Sequence, residues 1–183
     1  MSFITRFTKI QTNKQENKYC IECGQANLLV NNSFKCSACG KNYYKQPSLG
    51  VSVVVEAEGK RIILCKRRPY VYAGGKWCLP CGYIEYEEDY VTAAEREVFE
   101  ETKIIVEIHS LMGVYDTVFS DSRHTVVIAL LAKYHDGVLT ATDDIEDALW
   151  LDEKHINLYD FAFDADKKYV LKFFNDSSYG IPL

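Results

Sequence analysis

No apolar run in this chain approaches the roughly 20 residues that a helix needs to cross a bilayer, which sets aside a membrane-spanning reading. The first twenty residues, MSFITRFTKIQTNKQENKYC, lack a continuous apolar stretch and a small-residue cleavage site. Export is therefore not expected, and the cytoplasm is the expected compartment. Positive charge is short as well: 21 lysine plus arginine stand against 26 aspartate plus glutamate, a net charge of −5. That balance argues against duplex nucleic acid as the main partner, while a few local cations suffice to hold a small nucleotide. The four histidines, His109, His124, His135 and His155, show no metal-ligand spacing. What is present is ordinary globular composition, 48% apolar and 26% charged over 183 residues, enough for one substantial domain and a small appendage.

Four of the seven cysteines form two knuckles, Cys20-Ile21-Glu22-Cys23-Gly24 and Cys36-Ser37-Ala38-Cys39-Gly40. Two C-x-x-C pairs at this separation read as a tetrathiolate zinc ribbon. A pair of disulfides is the competing reading, disfavoured in a cytosolic chain, and a redox C-x-x-C is the third. The glycine after each pair suits a tight turn that lets backbone amides approach sulfur. The intervening NLLVNNSF reads as a hairpin turning at Asn31-Asn32. Some twenty residues cannot bury a core, so zinc would supply the folding energy and is read as structural. The few nearby lysines, Lys18, Lys35, Lys41 and Lys45, form no positive stripe, and a scaffolding or dimerisation role is preferred to nucleic-acid binding. Cys65, in RIILC, reads as a buried small hydrophobe, and Cys78 and Cys81 read as packing residues.

The segment from Gly82 to Ile104, GYIEYEEDYVTAAEREVFEETKI, has the spacing G-x5-E-x7-R-E-V-x-E-E. At about 100° per helical residue, Glu97, Glu100 and Glu101 share a face, with Val91, Ala94 and Val98 on the adjoining apolar arc. Like charges four apart destabilise a helix by a few tenths of a kcal/mol, roughly. A hard divalent cation with oxygen ligands is the natural counter-charge; a solvated acidic face is the bland alternative.

The rest of the chain reads as strands around that helix. SLGVSVVVEAEGKRIILCKRR forms two β runs meeting at Glu58-Gly59, and a loop with Tyr70, Tyr72, Gly74 and Gly75 follows. IIVEIHSLMGVYDTVF and TVVIALLAKYH read as strands joined by the polar loop 120–124. Asp136-Gly137 turns the second back into VLTAT. Residues 143–147 are an acidic loop before the strand Ala148–Leu151, and 160–175 carry helical periodicity. Strands on both sides of one helix, then a terminal helix, predict a mixed sheet covered by helices.

Trp77-Cys78-Leu79-Pro80-Cys81-Gly82 resembles the W-x-L-P-G-G lead-in of the Nudix hydrolases, with Cys81 at the first glycine. The spacing after it resembles the signature of the same family, except that Lys103 stands where a glycine usually ends the helix. With the ribbon included, the likeness runs from about residue 18 to 175 and is greatest to the shorter zinc-ribbon group linked to FAD and ADP-ribose hydrolysis. The S-Q-P-W-W segment of NADH pyrophosphatases does not follow Ile104. The resemblance implies an α/β/α sandwich with a mixed sheet, divided as an N-terminal segment 1–17, a zinc ribbon 18–45 and a Nudix domain 46–183.

It also implies Mg²⁺ or Mn²⁺ held by Glu97, Glu100 and Glu101, with the Gly82 carbonyl as a fourth ligand and Glu88 acting through a water or second ion. Arg96 would orient the glutamates. The general base is a motif glutamate, Asp144 or Glu146. Arg67 is the candidate pyrophosphate contact, and Tyr70, Tyr72, Tyr83, Tyr115 and Phe119 are candidate stacking surfaces, each with packing as its alternative. The implied activity is cleavage of the pyrophosphate bond of a nucleoside diphosphate linked to another moiety, FAD or ADP-ribose in type. The implied partners are a small-molecule nucleotide and, as an assembly, a homodimer. A house-cleaning nucleoside triphosphate pyrophosphatase and a non-catalytic nucleotide sensor are the alternatives.

Overall fold

The computed structural model describes residues 19–30, 33–44, 46–120, 123–176 and 180–183. They fall into two compact units, described separately: Leu49–Asp116 with Val126–Leu183, and the residues up to Ser48 with Thr117–Thr125. The second unit holds the cysteine knuckles. Its strands β1 (Asn27–Val30), β2 (Ser33–Cys36) and β3 (Asn42–Tyr44) form an antiparallel sheet in that order. The expected turn at Asn31-Asn32, the N-terminal segment 1–17, Lys18 and Lys45 lie outside the described residues.

In the larger unit β4 (Ser48–Ala57) and β5 (Arg61–Arg67) form the expected hairpin. The short strands β6 (Trp77–Cys78) and β7 (Cys81–Tyr83) pair with β5 and β4 respectively. Helix α1 (Tyr90–Thr102) follows, then β8 (Ile104–Ser120), β9 (Arg123–Gly137), β10 (Ile145–Leu151), helix α2 (Asp164–Asn175) and β11 (Ile181–Pro182). The main sheet runs β10-β5-β4-β9-β8-β11. It is mixed, with antiparallel pairs such as β10–β5 and a parallel bridge between Trp77 and Phe161.

Strand alternation sends successive side chains to opposite faces. Val51, Val53, Val55, Ile63 and Cys65 pack with Ala93, Ala94 and Val98 of α1. Val54, Ile62 and Leu64 pack with Tyr169, Val170, Phe173 and Phe174 of α2. The continuous apolar run in β4 is thereby explained: a strand covered on both faces loses its polar positions. On α1, Ala93 takes the buried place expected of Val91, which is half-exposed.

Helix α1 opens on Asp89, whose carboxylate accepts from the amides of Val91 and Thr92, both at 2.9 Å. It closes on Lys103 at φ 60°, ψ 19°, with the Lys103 amide donating to the Phe99 carbonyl. The chain thus adopts the left-handed cap without the glycine that usually supplies it. A non-glycine residue pays roughly 1 kcal/mol there, partly offset by Lys103 Nζ lying 5.0 Å from the Phe99 ring centroid. Lys103→Gly is expected to stabilise the protein by up to about 1 kcal/mol. A urea unfolding midpoint that falls would show the ring contact outweighing the backbone strain.

Two local expectations are corrected. VLTAT forms no strand; residues 138–142 carry no regular secondary structure and lie against the end of α1. The Thr140 and Thr142 amides donate to the Thr102 and Glu101 carbonyls, each at 2.9 Å, and Thr142 Oγ1 donates to the Glu100 carbonyl. The last carbonyls of a helix have no partner within it, and here that need wins over hairpin pairing. The acidic segment is also shorter as a loop than expected, because Ile145, Glu146 and Asp147 belong to β10, with a register shift between Ile145 and Asp147.

Candidate active site

Successive backbone groups of the turn from Leu79 to Gly82 are fixed from both sides of the sheet. The Pro80 carbonyl accepts from Val53 of β4 at 2.9 Å, and the Cys81 amide donates to Glu101 Oε2 at 3.0 Å. Gly82 faces Glu97 so closely that a Cβ there would collide with all three terminal atoms of the Glu97 side chain. The lead-in and the helix therefore form one structure, with the carboxylates of Glu97 and Glu101 seated on the turn.

Arg96 organises the acidic face. Its guanidinium donates twice to Glu88, at 2.6 and 3.0 Å, and from Nη1 to Glu97 and Glu100, both at 2.9 Å. Nη2 also donates to the Tyr83 carbonyl at 3.0 Å. Glu88 in turn accepts from the Glu85 amide at 2.9 Å. The Arg96 bonds, then that amide, hold the Glu88 carboxyl down at about 2.

Glu101 differs. It is 1% exposed, it accepts from the Cys81 amide, and burial pushes its carboxyl well above the usual range, with Cys81 and Asp144 adding to the shift. Burial likewise raises Glu97.

The two proposed base carboxylates part company on β5. Asp144 meets Arg67 on the α1 face, with Arg67 Nη2 3.5 Å from Oδ2. Its Oδ1 is buried with no hydrogen-bond partner. Glu146 pairs instead with Lys66 at 3.1 Å, and the Lys66 side chain leaves β5 on the opposite face from Arg67 by strand alternation.

Arg67 itself is 9% exposed. Nε donates to the Tyr72 carbonyl at 2.8 Å, Nη1 lies 3.8 Å from Cys78 and 3.9 Å from Cys81, and Phe163 covers it at 5.6 Å. Tyr115 is buried beside Tyr169 and is a core residue, which corrects its expected place as a substrate contact. Its hydroxyl satisfies an internal carboxylate and so does not reach the surface. Tyr70, Tyr72 and Tyr83 are exposed, and Tyr72 stacks on Phe163 at 6.2 Å. The Phe119 side chain lies outside the described part of the structure.

The donor set fits a hard divalent cation. It is rich in carboxylate oxygens, it includes a fully buried carboxylate at Glu101, and it presents an orphaned buried oxygen at Asp144. The four knuckle sulfurs all lie within 4.8 Å of one another. Cys20–Cys39 and Cys23–Cys36 sulfur separations are 3.7 and 3.5 Å. A tetrahedral zinc with bonds of ~2.3 Å requires about 3.8 Å, so the cluster fits zinc. Gly24 and Gly40 both take φ above 70°, the left-handed turn that closes each knuckle. The amides of Ala38 and Cys39 donate to Cys36 Sγ at 3.4 Å, and Tyr43 Oη lies 3.1 Å from Cys20 Sγ.

The family model described as NUDIX domain matches residues 46–173. This chain belongs to the NUDIX family. It is 35% identical over 125 residues to an ADP-ribose pyrophosphatase of Methanocaldococcus jannaschii, covering 68% of this chain and 72% of that protein. It is 29% identical over 152 residues to the NAD-capped RNA hydrolase NudC of Haemophilus influenzae, covering 80% of this chain and 56% of that one. It thus spans little more than half of the NudC relatives. Among solved structures, a NUDIX hydrolase from Nitrosomonas europaea superposes with a TM-score of 0.74 at 29% identity, over 85% of this NUDIX chain and 91% of its own. No helix among the described residues is long and apolar enough to cross a membrane.

Two side chains that frame this NUDIX site escaped sequence reasoning: Thr142 and Asp166. Thr142 gave no signal. Asp166 gave one: it falls on the same helical stripe as Tyr169, Val170 and Phe173, an acidic residue on an apolar face.

Proposed function

We propose that this chain is a metal-dependent hydrolase cleaving the pyrophosphate bond of a nucleoside diphosphate linked to another moiety, with ADP-ribose the leading substrate and FAD the next. The observation that carries this reading is the union of turn and helix at Gly82, Glu97 and Glu101, in a chain one-third identical to an ADP-ribose pyrophosphatase. Glu97, Glu100 and Glu101, with the Gly82 carbonyl, hold Mg²⁺ or Mn²⁺. Glu88 anchors Arg96, and Arg96 aligns Glu97 and Glu100. A bound divalent cation supplies charge neutralisation at the diphosphate and a water of lowered pKa. Asp144 takes the proton of the attacking water at Oδ1; an unpaired buried acceptor costs roughly 1–3 kcal/mol, and a proton donor there removes that cost. Arg67 positions Asp144 and the loop bearing Tyr70 and Tyr72, and Tyr83 and Tyr70 offer exposed rings to a base.

The domain division follows the same reading: an N-terminal segment 1–17, a ribbon 18–45 with structural zinc on Cys20, Cys23, Cys36 and Cys39, and a hydrolase domain 46–183. A tetrathiolate site suits a reducing compartment, and we place the protein in the cytoplasm, as a homodimer.

The test is a Mg²⁺-dependent panel of ADP-ribose, FAD, NADH, diadenosine polyphosphates and nucleoside triphosphates. AMP released from ADP-ribose is the expected result, and turnover of triphosphates alone would replace this reading with the house-cleaning one. Tight binding of one compound without turnover would make the protein a sensor. On the preferred substrate, Asp144→Asn is expected to lower kcat at least about 100-fold, the range of a general base, with Glu146→Gln within about threefold of wild type. Equal losses would remove Asp144 from the role.

A further inference from the structure

A second carboxylate grips the turn from the face opposite α1. Asp166, in the first turn of α2, is fully buried. Its Oδ2 accepts from the Leu79 amide at 3.0 Å, and its Oδ1 accepts from Ser52 Oγ at 3.1 Å and Tyr115 Oη at 3.3 Å. Burying an ionisable carboxyl costs several kcal/mol, roughly, unless it is paired and hydrogen-bonded. Burial pushes this one up to about 6, while its three donors favour the charged form. A core that needed only packing at this place would be served by an apolar residue, as at Val170 and Phe173 one and two turns later.

The geometry of the turn says what the carboxylate is for. Of the three residues Leu79, Pro80 and Cys81, Pro80 has no amide proton. The two remaining amides leave in opposite directions: Leu79 donates to Asp166 of α2, and Cys81 donates to Glu101 of α1. The Pro80 carbonyl between them is tied to β4. Two buried carboxylates, one from each helix, thus set where the turn sits relative to the sheet, immediately before Gly82 and its close approach to Glu97.

We propose that Asp166 is a positioning residue for the metal-binding turn: by holding the Leu79 amide it fixes the register of Cys81 and Gly82 against Glu101 and Glu97. The inference rests on the hydrolase reading for its catalytic consequence, and on geometry alone for its structural one. Groups that orient metal ligands through hydrogen bonds are typically worth 10- to 100-fold in affinity.

The test compares Asp166→Asn with Ser52→Ala in the full-length, zinc-loaded protein. Ser52→Ala removes one donor to the same carboxyl and leaves the Leu79 link, so it controls for a general loss of core stability. Three quantities are read: amide hydrogen exchange at Leu79 and Cys81, Mn²⁺ affinity by electron paramagnetic resonance, and the kcat/KM split for hydrolysis. Asp166→Asn is expected to speed exchange at both amides at least tenfold relative to α2, weaken Mn²⁺ binding about tenfold, and lower kcat with KM little changed. Ser52→Ala is expected to move none of these beyond twofold. If exchange at Leu79 and Cys81 is unchanged in Asp166→Asn, or if Ser52→Ala matches it, the positioning role is overturned. The exchange difference in Asp166→Asn, found beside a wild type that neither binds Mn²⁺ nor hydrolyses any compound of the panel, would overturn the hydrolase reading and retain the structural role.

Discussion

Glu101→Gln is expected to reduce hydrolysis at least about a thousandfold while leaving the Mg²⁺-free protein as stable as wild type or more so. The two halves have one cause. The Glu101 carboxyl is fully buried, and burial raises its pKa well above the ordinary value of 4.5. When a carboxyl is harder to ionise folded than unfolded, the unfolded state loses its proton first. Stability then falls as pH rises through 4.5 and stays lower up to neutrality. Glutamine keeps an oxygen for the Cys81 amide and removes the charge, so that pH-dependent loss disappears. Function moves the other way, because a neutral amide is a far weaker ligand for a hard cation. About 4 kcal/mol of lost transition-state stabilisation corresponds to a thousandfold in rate. Thermal unfolding in buffer without added Mg²⁺ or chelator, which leaves the cysteine cluster undisturbed, is to be compared with steady-state hydrolysis. A variant that is both inactive and markedly less stable would mean that Glu101 is chiefly a structural acceptor. Stability gained where activity is lost is the usual mark of a site built for function.

Gly82→Ala is expected to lower hydrolysis by at least about 100-fold with a melting temperature close to that of wild type. The added methyl would occupy the space of the Glu97 carboxylate. The obstructing atoms are the far end of a flexible side chain, so the glutamate can swing aside at modest cost in stability. In doing so it leaves both its place on the turn and its 2.9 Å bond to Arg96. The same change at most surface glycines would be read as a backbone effect, but Gly82 is not among the residues held at positive φ. Circular dichroism melting with hydrolysis assays separates the cases. Large destabilisation would place the fault in the fold, and retained activity would remove Glu97 from the metal set.

Much of the larger unit was legible because its signals are periodic. The apolar run in β4 announced a strand, and the glutamates at helical spacing announced an acidic stripe on α1. The cysteine spacing announced a convergent cluster. Contacts made by backbone groups far apart in sequence were not legible. Nothing in VLTAT says that its amides will cap α1, since an irregular segment and a β-strand present the same groups to solvent or to a partner. The choice between Asp144 and Glu146 was equally hidden, because a register shift in β10 separates two acidic residues only two positions apart. The place of Tyr115 in the core was hidden for a related reason: its hydroxyl donates to Asp166, 51 residues away in sequence.

Arg96 already neutralises part of the acidic stripe from within the chain, so α1 and its turn can fold before any cation arrives. Among the described residues the cysteine ligands have no such internal counter-charge, and so small a unit has little core of its own; a zinc ion bound there would be part of the folding equilibrium. Filled as proposed, the two sites would have opposite thermodynamic character. Zinc supply would govern how much folded protein accumulates, and magnesium supply would govern only how fast the accumulated protein works.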